Sequence, residues 1–124
     1  FSPVNTLDET FYKDFKKSYY QKFKRESFVG DVVKIVRSKT ADEILRISKP
    51  LAKIDFLNID IEGMDFKILK QLIPNKITPK LVSIETHNPD NIKLRDCDLI
   101  NDFLKSKNYS VFKRVGPTTL FNIK

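Results

Sequence analysis

The chain has 124 residues, 40% of them hydrophobic and 31% charged, a composition typical of one folded soluble domain or part of one. Its three glycines, Gly30, Gly63 and Gly116, are too far apart to form a Gly-x-Gly turn or a P-loop, so the commonest signature of a nucleotide-binding enzyme is missing. The net charge of +7 would attract nucleic acid, anionic substrates or acidic membranes.

The first predicted element is a basic amphipathic helix. Apolar side chains recur every four residues from Leu7 to Phe23, which is the spacing of one helical face. Thr6 and Glu9 form a capping box at its start. The pattern therefore predicts a helix that begins close to the first residues of the sequence.

The positive charge is concentrated in this helix, because residues 13–25 hold six Lys or Arg against one Asp. A solvated helix face is the simpler interpretation of such a run. The alternative is a nucleic-acid-binding surface, with the lysines along phosphates and with Tyr19 and Tyr20 stacked on bases. We expect residues 1–30 to form a helical segment that precedes an α/β domain at residues 31–124.

From residue 31 onward, strands and helices alternate. The predicted order is strand 31–36, helix 41–48, strand 54–63, helix 64–73, strand 81–86, helix 96–107 and a hairpin of two strands across Gly116 and Pro117. Thr40 and Glu43 form a capping box before the first of these helices, and Pro50 ends it. This order predicts a mostly parallel α/β sheet, covered by helices on both faces, with one antiparallel strand from the hairpin.

The single cysteine and single histidine exclude an internal disulfide and a zinc site built from Cys and His. No apolar run approaches the ~20 residues that span a bilayer, and no signal-peptide pattern opens the chain. These features predict a cytoplasmic protein without a membrane span. Since the only methionine is Met64, we expect the natural start of the protein to lie upstream of residue 1. The sequence leaves open whether that upstream part includes a targeting segment.

Polar side chains gather at the carboxyl ends of two predicted strands, which is where open α/β sheets bind ligands. Alternation places Asp60 and Glu62 on one side of the strand 54–63. The same period places Glu85 and His87 together after the next strand. If the two strands are parallel neighbours, these three carboxylates and the imidazole converge at one end of the sheet.

Each of these residues also has a simpler structural interpretation. In this interpretation Glu62 and Gly63 turn the chain and cap the following helix, and His87 is a loop residue with local hydrogen bonds. Asp60 and Glu62 also imitate the acidic metal motif of sugar transferases, but two carboxylates are a weak match and we predict no metal. Cys97 has no basic partner in the sequence and is not expected to act as a nucleophile.

The sequence around Asp60 resembles the central motif of a known family. Residues 53–72, KIDFLNIDIEGMDFKILKQL, closely resemble the motif of FkbM-type S-adenosylmethionine-dependent methyltransferases, in which an apolar run leads to Ile-Asp-x-Glu-Gly and a helix containing Leu-Lys. Residues 100–123 are similar to the last helix and final two strands of that family, and residues 39–45 to the segment before the motif. The resemblance covers residues 36–124.

This resemblance implies the seven-stranded, Rossmann-like sheet of class I methyltransferases. It also implies that S-adenosylmethionine is bound by a glycine-rich loop after the first strand and by an acidic residue after the second, and this sequence contains neither. We therefore expect the chain to be the C-terminal part of an incomplete sheet, with its last four strands. By itself it is expected to lack cofactor binding and activity, because the cofactor is bound mainly by residues missing from this chain.

The resemblance further implies roles for the strand-end residues. Asp60 would lie beside the methionine end of the cofactor, next to the methyl group, and Glu62 would border the acceptor pocket with Glu85 and Asn88. Methyl transfer requires that an acceptor oxygen is aligned with the sulfonium carbon and loses its proton. His87, with an ordinary pKa of about 6.5, is the candidate base, oriented by a carboxylate such as Glu85 or Glu62.

The predicted function is thus methyl transfer to an oxygen of a sugar or another small polar acceptor. The alternatives are a nucleic-acid-binding module that uses the helix 13–25 and a non-catalytic α/β module that uses the same helix for docking. The acidic strand ends argue against nucleic acid because they repel phosphate. The acceptor and the oligomeric state do not follow from the sequence.

Overall fold

The structure is a computed structural model that describes residues 9–23, 37–48, 53–73 and 77–124. Its helices are α1 (Glu9–Phe23), α2 (Ala41–Ser48), α3 (Asp65–Leu72) and α4 (Cys97–Ser106), and its strands are β1 (Phe56–Ile59), β2 (Leu81–Glu85), β3 (Tyr109–Val115) and β4 (Thr118–Ile123). This confirms the element order predicted from residue 41 onward. The predicted strand 31–36, the capping residue Thr6 and the helix-ending Pro50 lie outside the described residues. Within those ranges, none of the helices is long and apolar enough to cross a membrane.

The four strands form one sheet in the order β1-β2-β4-β3. β1 pairs with β2 in parallel, with Ile59 opposite Ile84, whereas β4 pairs antiparallel with both of its neighbours. β1, β2 and β3 therefore run in one direction and β4 in the other. The predicted α/β sheet with an antiparallel C-terminal strand is confirmed, and the carboxyl ends of β1 and β2 lie side by side.

The core is built around β2. The consecutive residues Val82, Ser83 and Ile84 are all buried, and because successive side chains of a strand point to opposite faces, β2 is covered on both faces. Leu69 of α3 and Leu104 of α4 are fully buried within the core. Burial of a leucine contributes about 1.5–3 kcal/mol. The strand that ends at the candidate site is thus firmly held.

The capping box predicted for α2 is confirmed. The backbone N–H of Glu43 donates to Oγ1 of Thr40 at 3.2 Å, and the N–H of Thr40 donates to Oε2 of Glu43 at 2.8 Å. These reciprocal bonds satisfy two N–H groups that have no partner inside the helix.

β1 is shorter and more exposed than the sequence predicts. Only Phe56–Ile59 forms a strand, and although Ile59 is buried, Phe56 is 54% exposed. The prediction that this strand is covered on both faces is wrong for β1, because its alternate residues Phe56 and Asn58 are exposed. The apolar run that suggested a longer strand continues into the loop before α3.

Candidate active site

The loop between β1 and α3 has an unusual backbone. Glu62 has a φ of +50° and Gly63 a φ of +98°, and a glutamate is rare in this left-handed region because its Cβ crowds the neighbouring carbonyl. Asp65 in the first turn of α3 accepts hydrogen bonds from this loop, at Oδ1 from the N–H of Ile61 (3.3 Å) and at Oδ2 from the N–H of Gly63 (3.1 Å). Asp65 of α3 therefore fixes the backbone on both sides of Glu62, at Ile61 and at Gly63.

This geometry decides between the interpretations of Glu62. Met64, and not Glu62, occupies the N-cap position of α3, and within the described chain no side chain makes a capping hydrogen bond there. The chain does reverse at Glu62 and Gly63, but the alternative that Glu62 caps the helix is wrong. Asp65 stabilises the turn instead.

Four carboxylates meet at the carboxyl ends of β1 and β2. Asp60 and Glu85 directly follow the paired residues Ile59 and Ile84. Desolvation raises the pKa of Glu85, and the negative charges of Asp60, Glu62 and Asp65 raise it further. Desolvation also raises the pKa of Glu62, with further contributions from Asp60 and Asp65. The structure therefore brings Asp60, Glu62 and Glu85 together. We call these three side chains and Asp65 the carboxylate cluster.

The imidazole of His87 is oriented by a hydroxyl group. Its Nδ1 atom lies 2.8 Å from Oγ1 of Thr86, the preceding residue. The expectation that Glu85 or Glu62 orients the ring is therefore wrong, since the position at Nδ1 is occupied by an alcohol. The reason is local: β2 ends at Glu85, and the chain bends before His87 instead of continuing the alternation of the strand.

The charges that act on His87 are mainly positive. Desolvation of the half-buried ring lowers its pKa, and the positive charges of Arg114 and Lys93 lower it further, while Asp98 opposes them. None of these three residues belongs to the carboxylate cluster. At neutral pH the imidazole is accordingly held in its uncharged form.

A buried pair of hydroxyl groups lies behind the imidazole. Oγ1 of Thr86 is 2.6 Å from Oγ1 of Thr119 in β4, and the two residues are 0% and 4% exposed. The thiol of Cys97 also forms a hydrogen bond with the side chain of Thr86 and is 1% exposed, and its pKa is raised, chiefly by desolvation and then by Asp98. A buried thiol with a raised pKa is protonated at neutral pH, as expected of a cysteine that is not a nucleophile.

Asn88 shapes the loop that follows β2. Its Oδ1 accepts a hydrogen bond from the N–H of Ile92 at 2.8 Å, and its own N–H donates to the carbonyl of Ile92 at 2.8 Å. His87 and Lys93 are joined beside this turn by an isolated β-bridge. The side-chain oxygen of Asn88 is thus used in holding the loop closed.

Sequence reasoning missed two features of the site. The part played by Asp65 depends on the conformation of the loop, and the available signal was a carboxylate two residues after a strand-end glycine. Thr86 and Thr119 are 33 residues apart, and only the antiparallel pairing of β2 with β4 brings their hydroxyl groups together. No local pattern marks either threonine.

The carboxylate cluster is suited to a cationic ligand. A nearby positive charge would stabilise carboxylates that lie this close together, and the raised pKa of Glu62 and Glu85 makes these two better proton acceptors. In the part of the chain that the structure describes, no group of three or more His, Cys, Asp or Glu residues is arranged to hold a metal ion.

A comparison with protein-family models places these features in a known family. The model of the methyltransferase FkbM domain matches residues 3–111, a range that contains the carboxylate cluster, Thr86 and His87. No curated protein and no solved structure matches the chain significantly. Because the matched range covers most of the 124 residues, the chain belongs to the FkbM methyltransferase domain family.

Proposed function

We propose that this protein transfers the methyl group of S-adenosylmethionine to an oxygen atom of a sugar or another small polar acceptor. The observation that carries the proposal is the convergence of Asp60, Glu62 and Glu85 at the ends of two parallel strands, inside the region that matches the FkbM family. Ligands of open α/β sheets bind at this end of the strands.

The chemistry of the carboxylate cluster fits the methionine end of this cofactor, which carries a sulfonium and an ammonium group. When bound, the cofactor supplies a methyl group on a positively charged sulfur atom. Asp60 binds the cationic part, and Glu62, Glu85 and Asn88 border the acceptor. The hydrogen bonds from the loop to Asp65 fix Glu62 before any ligand binds, which lowers the entropic cost of aligning the acceptor.

His87 is the proposed base. Nδ1 is in contact with Thr86, so we assign Nε2 as the nitrogen that takes the proton of the acceptor hydroxyl. A base must be uncharged before it acts, and the lowered pKa of His87 increases the uncharged fraction at neutral pH. The neighbouring positive charges of Arg114 and Lys93 then favour release of the proton to water.

The test compares His87→Gln and Asp60→Ala in the natural protein that contains this chain. Transfer of a radiolabelled methyl group from S-adenosylmethionine to a panel of sugars and small alcohols is measured. We expect His87→Gln to lower kcat by roughly 100-fold or more without a change in cofactor affinity. We expect Asp60→Ala to weaken cofactor binding as well. Asp102→Ala, an exposed carboxylate on α4, is the matched control and should change neither quantity.

Normal turnover by both variants would contradict the assigned roles. The absence of methyl transfer from the unmodified protein to every acceptor of the panel would contradict the proposed reaction itself.

A further inference from the structure

We propose that the methyl acceptor carries an anionic group, a phosphate or a carboxylate, which Arg114 binds while the acceptor hydroxyl lies at His87. The proposal rests on the proposed function, since it names the class of acceptor for the same reaction. Arg114 is then a specificity-determining residue. It selects among hydroxyl-bearing molecules and takes no part in the transfer of the methyl group.

Arg114 lies on the same face of the sheet as the hydroxyl group of Thr119. The two residues are directly opposite each other in the antiparallel pair of β3 and β4, and the side chains of such a pair point to one face. Oγ1 of Thr119 is 2.6 Å from Oγ1 of Thr86, which lies 2.8 Å from Nδ1 of His87. The strand pairing therefore sets Arg114 beside the two threonines that connect the imidazole to the sheet.

Arg114 also lies at the end of the sheet that carries the carboxylate cluster. β1, β2 and β3 run in the same direction, and Arg114 is the last residue but one of β3. In the strand order β1-β2-β4-β3, β1 and β3 are the two outer strands. His87 follows β2, and its N–H donates to the carbonyl of Pro117, between β3 and β4, at 3.1 Å. His87 therefore lies between the carboxylates at one side of this sheet end and Arg114 at the other.

The charges that act on His87 agree with this placement. Among them, the positive charge of Arg114 has the largest effect and lowers the pKa of His87, ahead of Lys93, while Asp98 opposes both and desolvation lowers the pKa further. The carboxylate cluster contributes nothing to this shift. A hydroxyl group at His87 is therefore next to a positively charged region on the side of β3.

Arg114 is the cation of this region that has no counter-ion. Nζ of Lys93 lies 2.6 Å from Oδ1 of Asp98, so much of its charge is compensated. Within the ranges that the structure describes, the guanidinium group of the exposed Arg114 makes no ion pair and no hydrogen bond. A guanidinium group carries its N–H donors in a planar fork that fits two oxygens of a phosphate or a carboxylate. An anion is therefore the ligand that this side chain is suited to bind.

The charge pattern gives each of the two ligands one favourable side of the site. A sulfonium or ammonium group is attracted by the carboxylate cluster and repelled by Arg114, and a phosphate or carboxylate has the opposite preference. With its anion at Arg114, the acceptor directs its hydroxyl group towards the cluster, where the proposed function places the methyl group. A neutral acceptor would gain no such orientation.

The first test measures anion binding without any methyl transfer. His87 is the only histidine of the 124-residue chain, so its titration is followed by NMR without overlap. Sulfate is the probe because its oxygens resemble those of phosphate and it does not titrate in the range of imidazole. Relative to sodium chloride at the same ionic strength, saturating sulfate should raise the pKa of His87 by roughly half a pH unit, because a negative charge then lies beside the imidazole.

Two variants of β3 locate the bound sulfate. Arg114→Gln removes the guanidinium group, so it should raise the pKa of His87 in chloride and abolish most of the further rise in sulfate. Lys113→Gln is the matched control, because it removes an exposed positive charge from the neighbouring position of the same strand, whose side chain points to the other face. It should change neither value.

The second test measures acceptor selectivity in the natural protein that contains this chain. A panel of sugars is compared with their phosphate esters and their uronic acids, and the better of the two anionic sets identifies the anion. We expect kcat/KM to be higher for that set than for the neutral sugars by roughly 10-fold or more. Arg114→Gln should remove this advantage through KM, with kcat and the neutral sugars unaffected, and Lys113→Gln should preserve it.

Three results would overturn the proposal. They are a pKa of His87 that does not respond to sulfate in the unmodified chain, an equal response in Arg114→Gln, and methylation of neutral sugars in preference to both anionic sets. The first is read without any substitution. A sulfate response that depends on Arg114, in a protein that methylates no member of the panel, would support the anion site and contradict the proposed function. The two failures are therefore distinguishable.

Discussion

Glu62 occupies a backbone conformation that is unfavourable for a residue with a side chain, and the nearby Asp65 holds the backbone on both sides of it. A left-handed conformation costs roughly 1–2 kcal/mol for a residue other than glycine. Both carboxylate oxygens of Asp65 accept N–H groups on either side of Glu62 and offset this cost. Desolvation is the main reason that the pKa of Glu62 and that of Glu85 are raised, and the charge of Asp65 adds a smaller contribution to both. Asp65 thus shapes the loop and adds to the negative charge of the site.

Removal of this side chain should loosen the loop. We expect Asp65→Ala to lower the free energy of unfolding by about 1–2 kcal/mol, because the N–H groups of Ile61 and Gly63 lose a charged acceptor. Urea unfolding gives the change, and Asp65→Asn, which keeps one carbonyl oxygen, should lie between the two. Asp102→Ala on the exposed side of α4 is the control, with a change below about 0.5 kcal/mol. Equal stabilities of Asp65→Ala and the unmodified chain would show that the two hydrogen bonds to Asp65 contribute nothing.

At the scale of elements, the start of α2 can be predicted from residues close together in the sequence, whereas the end of β1 cannot. The capping box of α2 joins residues three positions apart, so its bonds are readable from the sequence alone. β1 stops at Ile59, four residues before the predicted end, because the chain must turn at Glu62 and Gly63 to reach α3. The apolar residues of a sequence alone do not show at which residue a strand stops pairing with its neighbour in the sheet.

The capping box is a test of this element-scale description. We expect Thr40→Ala to destabilise the fold by about 1 kcal/mol, because the N–H of Glu43 loses its acceptor and Glu43 loses the hydroxyl of its partner. The change is measured by urea unfolding. Ser48→Ala is the matched control at the other end of α2, where the hydroxyl only bonds the carbonyl of Ile44, and should have an effect below about 0.5 kcal/mol. Similar effects of the two substitutions would contradict a specific role for the box.

The same distinction explains how much of the candidate site could be predicted. The meeting of Asp60 with Glu85 follows from two strand ends and a parallel pairing, both of which the sequence pattern indicates. The contact between Thr86 and Thr119 depends on the register of β2 with β4, and register is set by the packing of the whole sheet. Hydrogen bonds within a few residues are therefore predictable here, and those between distant segments are not.

At the scale of the whole molecule, a chain with a net charge of +7 concentrates four carboxylates at one end of its sheet. Three exposed carboxylates elsewhere in the described chain, Glu9, Asp55 and Asp98, pair with lysines. Nζ of Lys13 lies 2.7 Å from Oε1 of Glu9, and Nζ of Lys80 lies 2.7 Å from Oδ1 of Asp55. Each lysine lowers the pKa of the carboxylate with which it pairs. In the carboxylate cluster the pKa of Glu62 and that of Glu85 are shifted in the opposite direction, so the ionisation of these two side chains opposes folding at neutral pH while the exposed pairs favour it.

This contrast fixes the sign of a pH effect. The pKa of Glu85 is raised in the folded state, chiefly by desolvation, and returns to about 4.3 when the chain unfolds. The folded protein therefore binds the proton more tightly than the unfolded chain. The resulting stabilisation is fully present below the unfolded pKa and is lost as the pH rises through the folded pKa.

Glu85→Gln removes this ionisation while keeping the size of the side chain. We expect the variant to be more stable than the unmodified chain at pH 7, and the advantage to shrink as the pH falls towards about 4, where Glu85 is protonated in both states. Urea midpoints measured across this range give the difference directly, and because the exposed pairs are the same in both proteins their opposite contribution cancels. Asp102→Asn should show no such pH-dependent difference. A variant less stable than the unmodified chain at pH 7 would mean that the charge of Glu85 makes a favourable contact stronger than the repulsion within the cluster.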